Sequence, residues 1–276
     1  MNQHILLMSG PDTKGLIYLI TKGLYENNCN IIHQDEYVTP DGFFYMRTEF
    51  EGLVGQLELL NFLRKSLPEN INLQLNPKKK KDIVLLCTKE HHCLAELLIR
   101  YAFDELDATI QAVVSNYNVL QPLVSKFGIP FHFITHEHKT REEHEEAILR
   151  TLEIYQPEYI VLAKFMRVLT PTFVENYNNR IVNIHHSFLP AFIGANPYRQ
   201  AYERGVKIIG ATAHFVNNDL DEGPIIAQNI KEVDHRYTAS DMAREGKDVE
   251  KSVLWQALKL VFNDRVFIHG NRTVIL

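Results

Sequence analysis

Three polar side chains in the second half of the chain have the types that acyl chemistry requires. Asn183-Ile184-His185-His186-Ser187-Phe188-Leu189-Pro190 supplies an amide and an imidazole on alternate residues, and Asp221-Glu222-Gly223-Pro224 supplies a carboxylate. An amide N–H can donate to an oxyanion as it develops. An imidazole can give or take a proton near neutral pH, and a carboxylate can orient and polarise the imidazole or a water. Asn183, His185 and Asp221 are therefore the candidate catalytic residues for attack on an acyl carbon without a metal or a covalent intermediate. An Asn-x-His segment that ends a strand could also cap a turn.

Such groups need strands to place them. Residues 180–184 lead into the first segment, and residues 208–216 precede the second. Ligand sites in open α/β sheets lie at the carboxyl ends of strands, so both segments are expected to face one crevice. Upstream, residues 82–86, 109–114, 131–134 and 159–163 read as strands, the last apolar throughout as a central parallel strand should be. Helices over 92–103, 122–127 and 141–155 alternate with them; in the last, Glu142, Glu143 and Glu146 oppose Ala147, Ile148 and Leu152. Alternating strands and helices predict a doubly wound, mostly parallel sheet.

The run Pro77-Lys78-Lys79-Lys80-Lys81 marks a boundary, because adjacent like charges belong in solvent. It divides the chain into a first domain, 1–81 with its lysine linker, and a second, 82–276. Residues 1–76 read as strand, helix, strand, strand, helix, strand. Asp12 is placed to cap a helix over 15–25, and Thr39-Pro40-Asp41-Gly42 is a reversal between two strands. That order predicts a ferredoxin-like α+β sandwich.

Composition narrows the class. The 276 residues are 45% hydrophobic, as in globular proteins. A net charge of −5 gives no reason to expect a nucleic-acid partner. No apolar run is long enough to span a bilayer, so no membrane role is expected. Met1-Asn2-Gln3-His4 lacks the features of a secretory signal. Three cysteines, Cys29, Cys87 and Cys93, make disulfides improbable and a reducing cytoplasm the expected location.

The motifs resemble the folate-dependent formyltransferase family over roughly residues 82–276. Asn183-Ile184-His185 with Ser187 and Leu189-Pro190, then Gly210-Ala211-Thr212-Ala213-His214-Phe215-Val216, then Asp221-Glu222-Gly223-Pro224-Ile225-Ile226 match in order. The resemblance implies catalytic roles for Asn183, His185 and Asp221 and a folate substrate, with no metal or other cofactor. It also implies that Met166, Arg167, Val168 and Leu169 hold the pterin ring, with His186 and Ser187 beside the substrate. An apolar loop with one Arg suits a flat heterocycle with a polar rim. Gly194-Ala195-Asn196-Pro197-Tyr198 resembles the segment following the family's His motif, with Pro197 opening a helix.

The first 76 residues resemble an ACT domain, through Gly10-Pro11-Asp12-Thr13-Lys14-Gly15 and the element order. This implies an amino-acid effector at Asp12 and Gly15, or an assembly role without a ligand, and a homo-oligomer.

The loop after the first strand of the second domain separates branches of the family. A phosphate-bearing acceptor favours a glycine-rich loop. Here Cys87-Thr88-Lys89-Glu90-His91-His92-Cys93 has no glycine, and Glu90 would repel a phosphate. The departure favours the hydrolytic branch: 10-formyltetrahydrofolate converted to formate and tetrahydrofolate, in support of purine biosynthesis and one-carbon balance. The alternative is transfer of the formyl group to an amine. Neither this loop nor His132, His136, Glu137 and His138 has convincing metal-ligand spacing.

Overall fold

A computed structural model describes residues 2–191 and 196–276, in two compact units. The first comprises β1 (Asn2–Pro11), α1 (Leu16–Glu26), β2 (Asn30–Val38), β3 (Phe43–Gly52), α2 (Gln56–Ser66) and β4 (Asn72–Pro77), with its sheet in the order β2-β3-β1-β4. All three pairings are antiparallel. Leu6, Met8, Phe44, Met46 and Phe50 form one core with Leu16, Ile20 and Leu24 of α1 and Leu59 and Leu63 of α2. This is the expected ACT-like ferredoxin fold. Asp12 does not cap α1: Gly15 is the N-cap, at φ 97°, and no side chain caps the helix. A left-handed residue at that position is what glycine supplies without a Cβ penalty.

The second unit holds β5 (Lys81–Cys87), α3 (His92–Ala102), β6 (Ala108–Ser115), α4 (Gln121–Ser125), β7 (Phe131–Phe133), α5 (Arg141–Tyr155), β8 (Tyr159–Leu162), α6 (Pro171–Asn176), β9 (Ile181–His185), α7 (Pro197–Arg204), β10 (Ile208–Phe215), β11 (Ile225–Glu232) and α8 (Ala239–Phe262). Its strands run β11-β10-β9-β8-β5-β6-β7. From β9 to β7 they are parallel, and Ile83 to Cys87 are fully buried, as a strand covered on both faces requires. Thr140 and Glu143 form a reciprocal capping box that starts α5.

Two further expectations are corrected. Lys81 is not solvated linker: it begins β5, is only 4% exposed, and its N–H bonds the Asp107 carbonyl. A strand needs its flanking backbone pairing, and a lysine stem can lie along apolar surface. Second, the chain end does not stay with the second unit. Residues 263–269 and 273–276, which include most of the hairpin of β12 (Val266–His269) and β13 (Arg272–Ile275), group with the first. Phe267 packs on Tyr45, His269 bonds the Tyr45 hydroxyl at 2.8 Å, and Arg47 donates to the Asn263 carbonyl. Within the expected, mostly parallel sheet, β10 runs antiparallel to β9, with Thr212 opposite His185 and Phe215 opposite Val182. Side-chain alternation is the same in either strand direction, so sequence pattern does not give orientation.

Candidate active site

β9 presents Asn183 and His185 on one face, two residues apart as the pleat dictates. The antiparallel register sets His214 of β10 directly opposite Asn183. Residues 216–224 then fold back, tied by the Phe215 N–H to the Pro224 carbonyl at 2.9 Å. Gly223 makes this possible, because a Cβ there would lie 1.7 Å from the Phe215 carbonyl oxygen. The loop delivers Asp221, in a left-handed conformation at φ 58°, to His185: Nδ1 lies 3.1 Å from Oδ1. Asp221 thus arrives on a returning loop rather than from the carboxyl end of a parallel strand.

Partial burial alone would raise the Asp221 carboxyl. The hydrogen bond from His185, with the neighbouring imidazole dipoles, outweighs it and holds the carboxyl below its usual range. An ionised carboxylate only accepts, so Nδ1 of His185 carries the proton it shares. Nε2 of His185 is buried and has no protein partner among the described residues. His214 is anchored in the opposite sense. Its Nδ1 lies 2.9 Å from the Phe215 carbonyl and must donate. Burial lowers the pKa of His214, only partly offset by Phe215 and Asp221, so its Nε2 keeps a lone pair. The Asn183 amide donates to that nitrogen at 3.2 Å. One of its two N–H groups is thereby fixed and the other is left for the pocket.

A cavity of about 300 Å³ joins these groups. It is lined by Leu162, residues 164–169, residues 183–186, His214 and residues 216–221. Met166, Arg167, Val168 and Leu169 all line it, with Met166 58% and Val168 45% exposed. His186 also lines it, its ring stacked on His185 with centroids 5.2 Å apart. Burial first, then the Lys164 ammonium, pushes His186 down to about 4, so it is neutral at physiological pH.

Ser187 stands apart: its hydroxyl donates to the Ala191 carbonyl at 2.7 Å, and it is not among the cavity's lining residues. None of His132, His136 and His138 lines the cavity either; His132 bonds Tyr155 and His136 bonds Asn116. Asp12 and Gly15 are exposed in the β1–α1 loop of the first unit, where the Asp12 N–H bonds the Gly42 carbonyl. Pro197 opens α7 as expected, while Gly194 and Ala195 lie outside the described residues. Among the lining residues given no role in the sequence reading are His214 and Lys164. His214 sits inside a quoted motif, yet only strand pairing shows that it meets Asn183.

His92, Cys93 and Glu250 bring three ligand-type atoms within 4.8 Å of one another. The Glu250 oxygens are already engaged by His92, Lys164 and Tyr198, and burial raises the Cys93 thiol far above its usual value. A cation there would have to displace the Lys164 ammonium. Cys87, Glu90 and His91, which precede His92 and Cys93 in the chain, are not part of the group.

A parallel sheet with an antiparallel edge, carrying Asn, His and Asp about one cavity, matches a known class. The formyl transferase family profile covers residues 81–258, and the chain belongs to that family. Formyltetrahydrofolate deformylase of Haemophilus influenzae is 53% identical over the full length of both chains. The crystal structure of a formyltetrahydrofolate deformylase from Pseudomonas syringae superposes with a TM-score of 0.95 at 36% identity, covering 100% of this chain and 95% of that one. A glycinamide ribonucleotide transformylase from Symbiobacterium toebii superposes with a TM-score of 0.69 at 29% identity, covering 74% of this chain and 98% of its own.

Proposed function

We propose that the chain hydrolyses 10-formyltetrahydrofolate to formate and tetrahydrofolate. The observation that carries this reading is His185, tied through Nδ1 to Asp221 while its Nε2 is buried without a partner among the described residues, in a residue that lines one cavity with Asn183. Neutral His185 takes a proton from a water at Nε2 as the water oxygen bonds the formyl carbon. The amide of Asn183 and the imidazolium then stabilise the oxyanion, and Asp221 stabilises the imidazolium. The same proton passes to N10 as the C–N10 bond breaks, leaving tetrahydrofolate and formic acid, which releases its proton to solvent as formate. Oxyanion donation is worth roughly a hundred- to a thousandfold and general acid–base help roughly a hundred- to ten-thousandfold. No step calls for a metal or a second cofactor.

The apolar wall at 165–169 takes the pterin ring in this reading, and neutral His186 accepts a hydrogen bond from the attacking water. Full-length identity to enzymes named as deformylases supports water over an amine as acceptor. The assay is formate release from 10-formyltetrahydrofolate with no acceptor added. Turnover that waits for an amine would establish the transferase instead.

The setting proposed is the cytoplasm, in support of purine biosynthesis and one-carbon balance. Among the described residues no helix is long and apolar enough to cross a membrane. The ACT-like unit is proposed to bind an amino-acid effector at the Asp12–Gly15 loop and to join copies into a homo-oligomer. Glycine and methionine, tested for effects on turnover and unfolding temperature, examine the first. Sedimentation examines the second.

A further inference from the structure

Glu250 lies on α8, outside the cavity that holds Asn183, His185 and Asp221, and is 1% exposed. Three donors converge on it. His92 Nε2 and Lys164 Nζ approach Oε2 at 2.8 Å and 3.2 Å, and the Tyr198 hydroxyl donates to Oε1 at 2.6 Å. Each donor comes from a different connection that follows a parallel strand: His92 after β5, Lys164 after β8, Tyr198 after β9. A second cavity of about 520 Å³ contains this cluster and shares Lys164, Met166 and His186 with the first.

The fold maintains the cluster against three local costs. Lys164 adopts the left-handed conformation, φ 63°, which only glycine takes freely, with its carbonyl held by the Thr88 hydroxyl at 2.8 Å. Gly246 sits inside α8 where a Cβ would lie 2.1 Å from the Tyr198 hydroxyl oxygen, so a helix-weakening residue gives that hydroxyl its passage. A carboxylate and an ammonium are both removed from water, which apolar residues of the same volume would avoid. A helix needed only for packing has no use for any of these. Departures from local preference that cluster beside a reactive site mark function.

We infer that Glu250 is a positioning residue for the deformylation reaction, clasping the connections after β5, β8 and β9 into the arrangement the site requires. Through Lys164 it fixes the start of the pterin-side wall, since Phe165 to Leu169 follow directly. Through Tyr198 it reaches the rings beyond, because Tyr198 packs on His186 at 6.1 Å and His186 stacks on His185. Its carboxyl is held ionised by His92, Lys164 and Tyr198 despite burial, so the clasp stays closed throughout the neutral range.

This inference rests on the proposed reaction, and its test separates the two. Formate release by the unsubstituted full-length chain tests the reaction. The clasp is tested by steady-state kinetics, tetrahydrofolate binding and thermal unfolding of Glu250→Gln, Gly246→Ala and their double variant. Gly246→Ala displaces Tyr198 without changing any charge. Each single variant should lower kcat by about tenfold, with a smaller change in KM, and the double should be no more than about twofold worse than the poorer single, because both break one unit. Tyr198→Phe removes only the hydroxyl and serves if either variant folds poorly. It should lower kcat about fivefold with little change in unfolding temperature, the scale of one ordinary hydrogen bond. Normal kcat in the folded variants, whatever their unfolding temperature, overturns the proposal, as do fully multiplicative losses. If the unsubstituted chain releases no formate, the reaction is wrong, and weaker tetrahydrofolate binding by the variants still decides the clasp.

Discussion

His214 orients Asn183. Its Nε2 accepts from the asparagine amide at 3.2 Å while its Nδ1 is committed to the Phe215 carbonyl at 2.9 Å. The amide therefore cannot rotate to present its oxygen where an oxyanion would form without placing that oxygen against an imidazole lone pair. The group that would stabilise the transition state is thus set by a neighbouring strand before substrate arrives.

Replacing His214 with Phe keeps the ring volume and removes the acceptor. Asn183 should then sample both amide orientations, and kcat should fall by about tenfold with KM little changed. Asn183→Ala should lose more, about a hundred- to a thousandfold, because it removes the donor altogether. If His214→Phe turned over as fast as wild type, the orientation role would be wrong.

Asp221→Asn should fold normally and lose about a hundred- to ten-thousandfold in kcat. The amide is nearly isosteric, but it does not stabilise an imidazolium and can turn its NH₂ toward His185. Activity within about threefold of wild type would remove Asp221 from the mechanism.

Gly223→Ala should be severe for a different reason. The added methyl would sit 1.7 Å from the Phe215 carbonyl oxygen, so the returning loop must move. We expect a stability loss of about 1–3 kcal/mol together with near-complete loss of turnover, since the same loop carries Asp221. Thermal unfolding and kcat measured together check this. A stable, fully active variant would mean that the loop reaches His185 by another path.

Glu250 also sets a pH dependence of stability. Burial by itself would raise its carboxyl, but the bonds from His92 and Tyr198 and the Lys164 charge hold it down to about 2, against an ordinary 4.5. A depressed carboxyl stabilises the folded state above its unfolded pKa, and the contribution fades as pH falls through the folded value. The difference corresponds to on the order of 3 kcal/mol, complete above about pH 5 and lost toward pH 2. Denaturant unfolding of wild type and Glu250→Gln should therefore converge by that amount between pH 5 and pH 2. A gap between them that stays constant with pH would contradict this.

Much of this protein is legible in its sequence because the information is local. The period of apolar residues gives the helices and strands, α5 to the residue, and the turn residues at 39–42 give the β2–β3 hairpin. The types and spacing of Asn183, His185 and Asp221 give the reaction class, because an amide, an imidazole and a carboxylate have few joint uses. The tertiary structure alone decides direction and partnership. It runs β10 antiparallel, so that His214 meets Asn183 and Asp221 arrives by a loop folded over Gly223. It turns Lys81 inward, sends the chain end back to the first unit, and brings His92, Lys164 and Tyr198 to Glu250 across as many as 158 positions of sequence. The reason is physical: periodicity and turn chemistry report each residue's own backbone and burial, whereas hydrogen bonds and ion pairs between distant residues depend on how the strands are ordered and oriented.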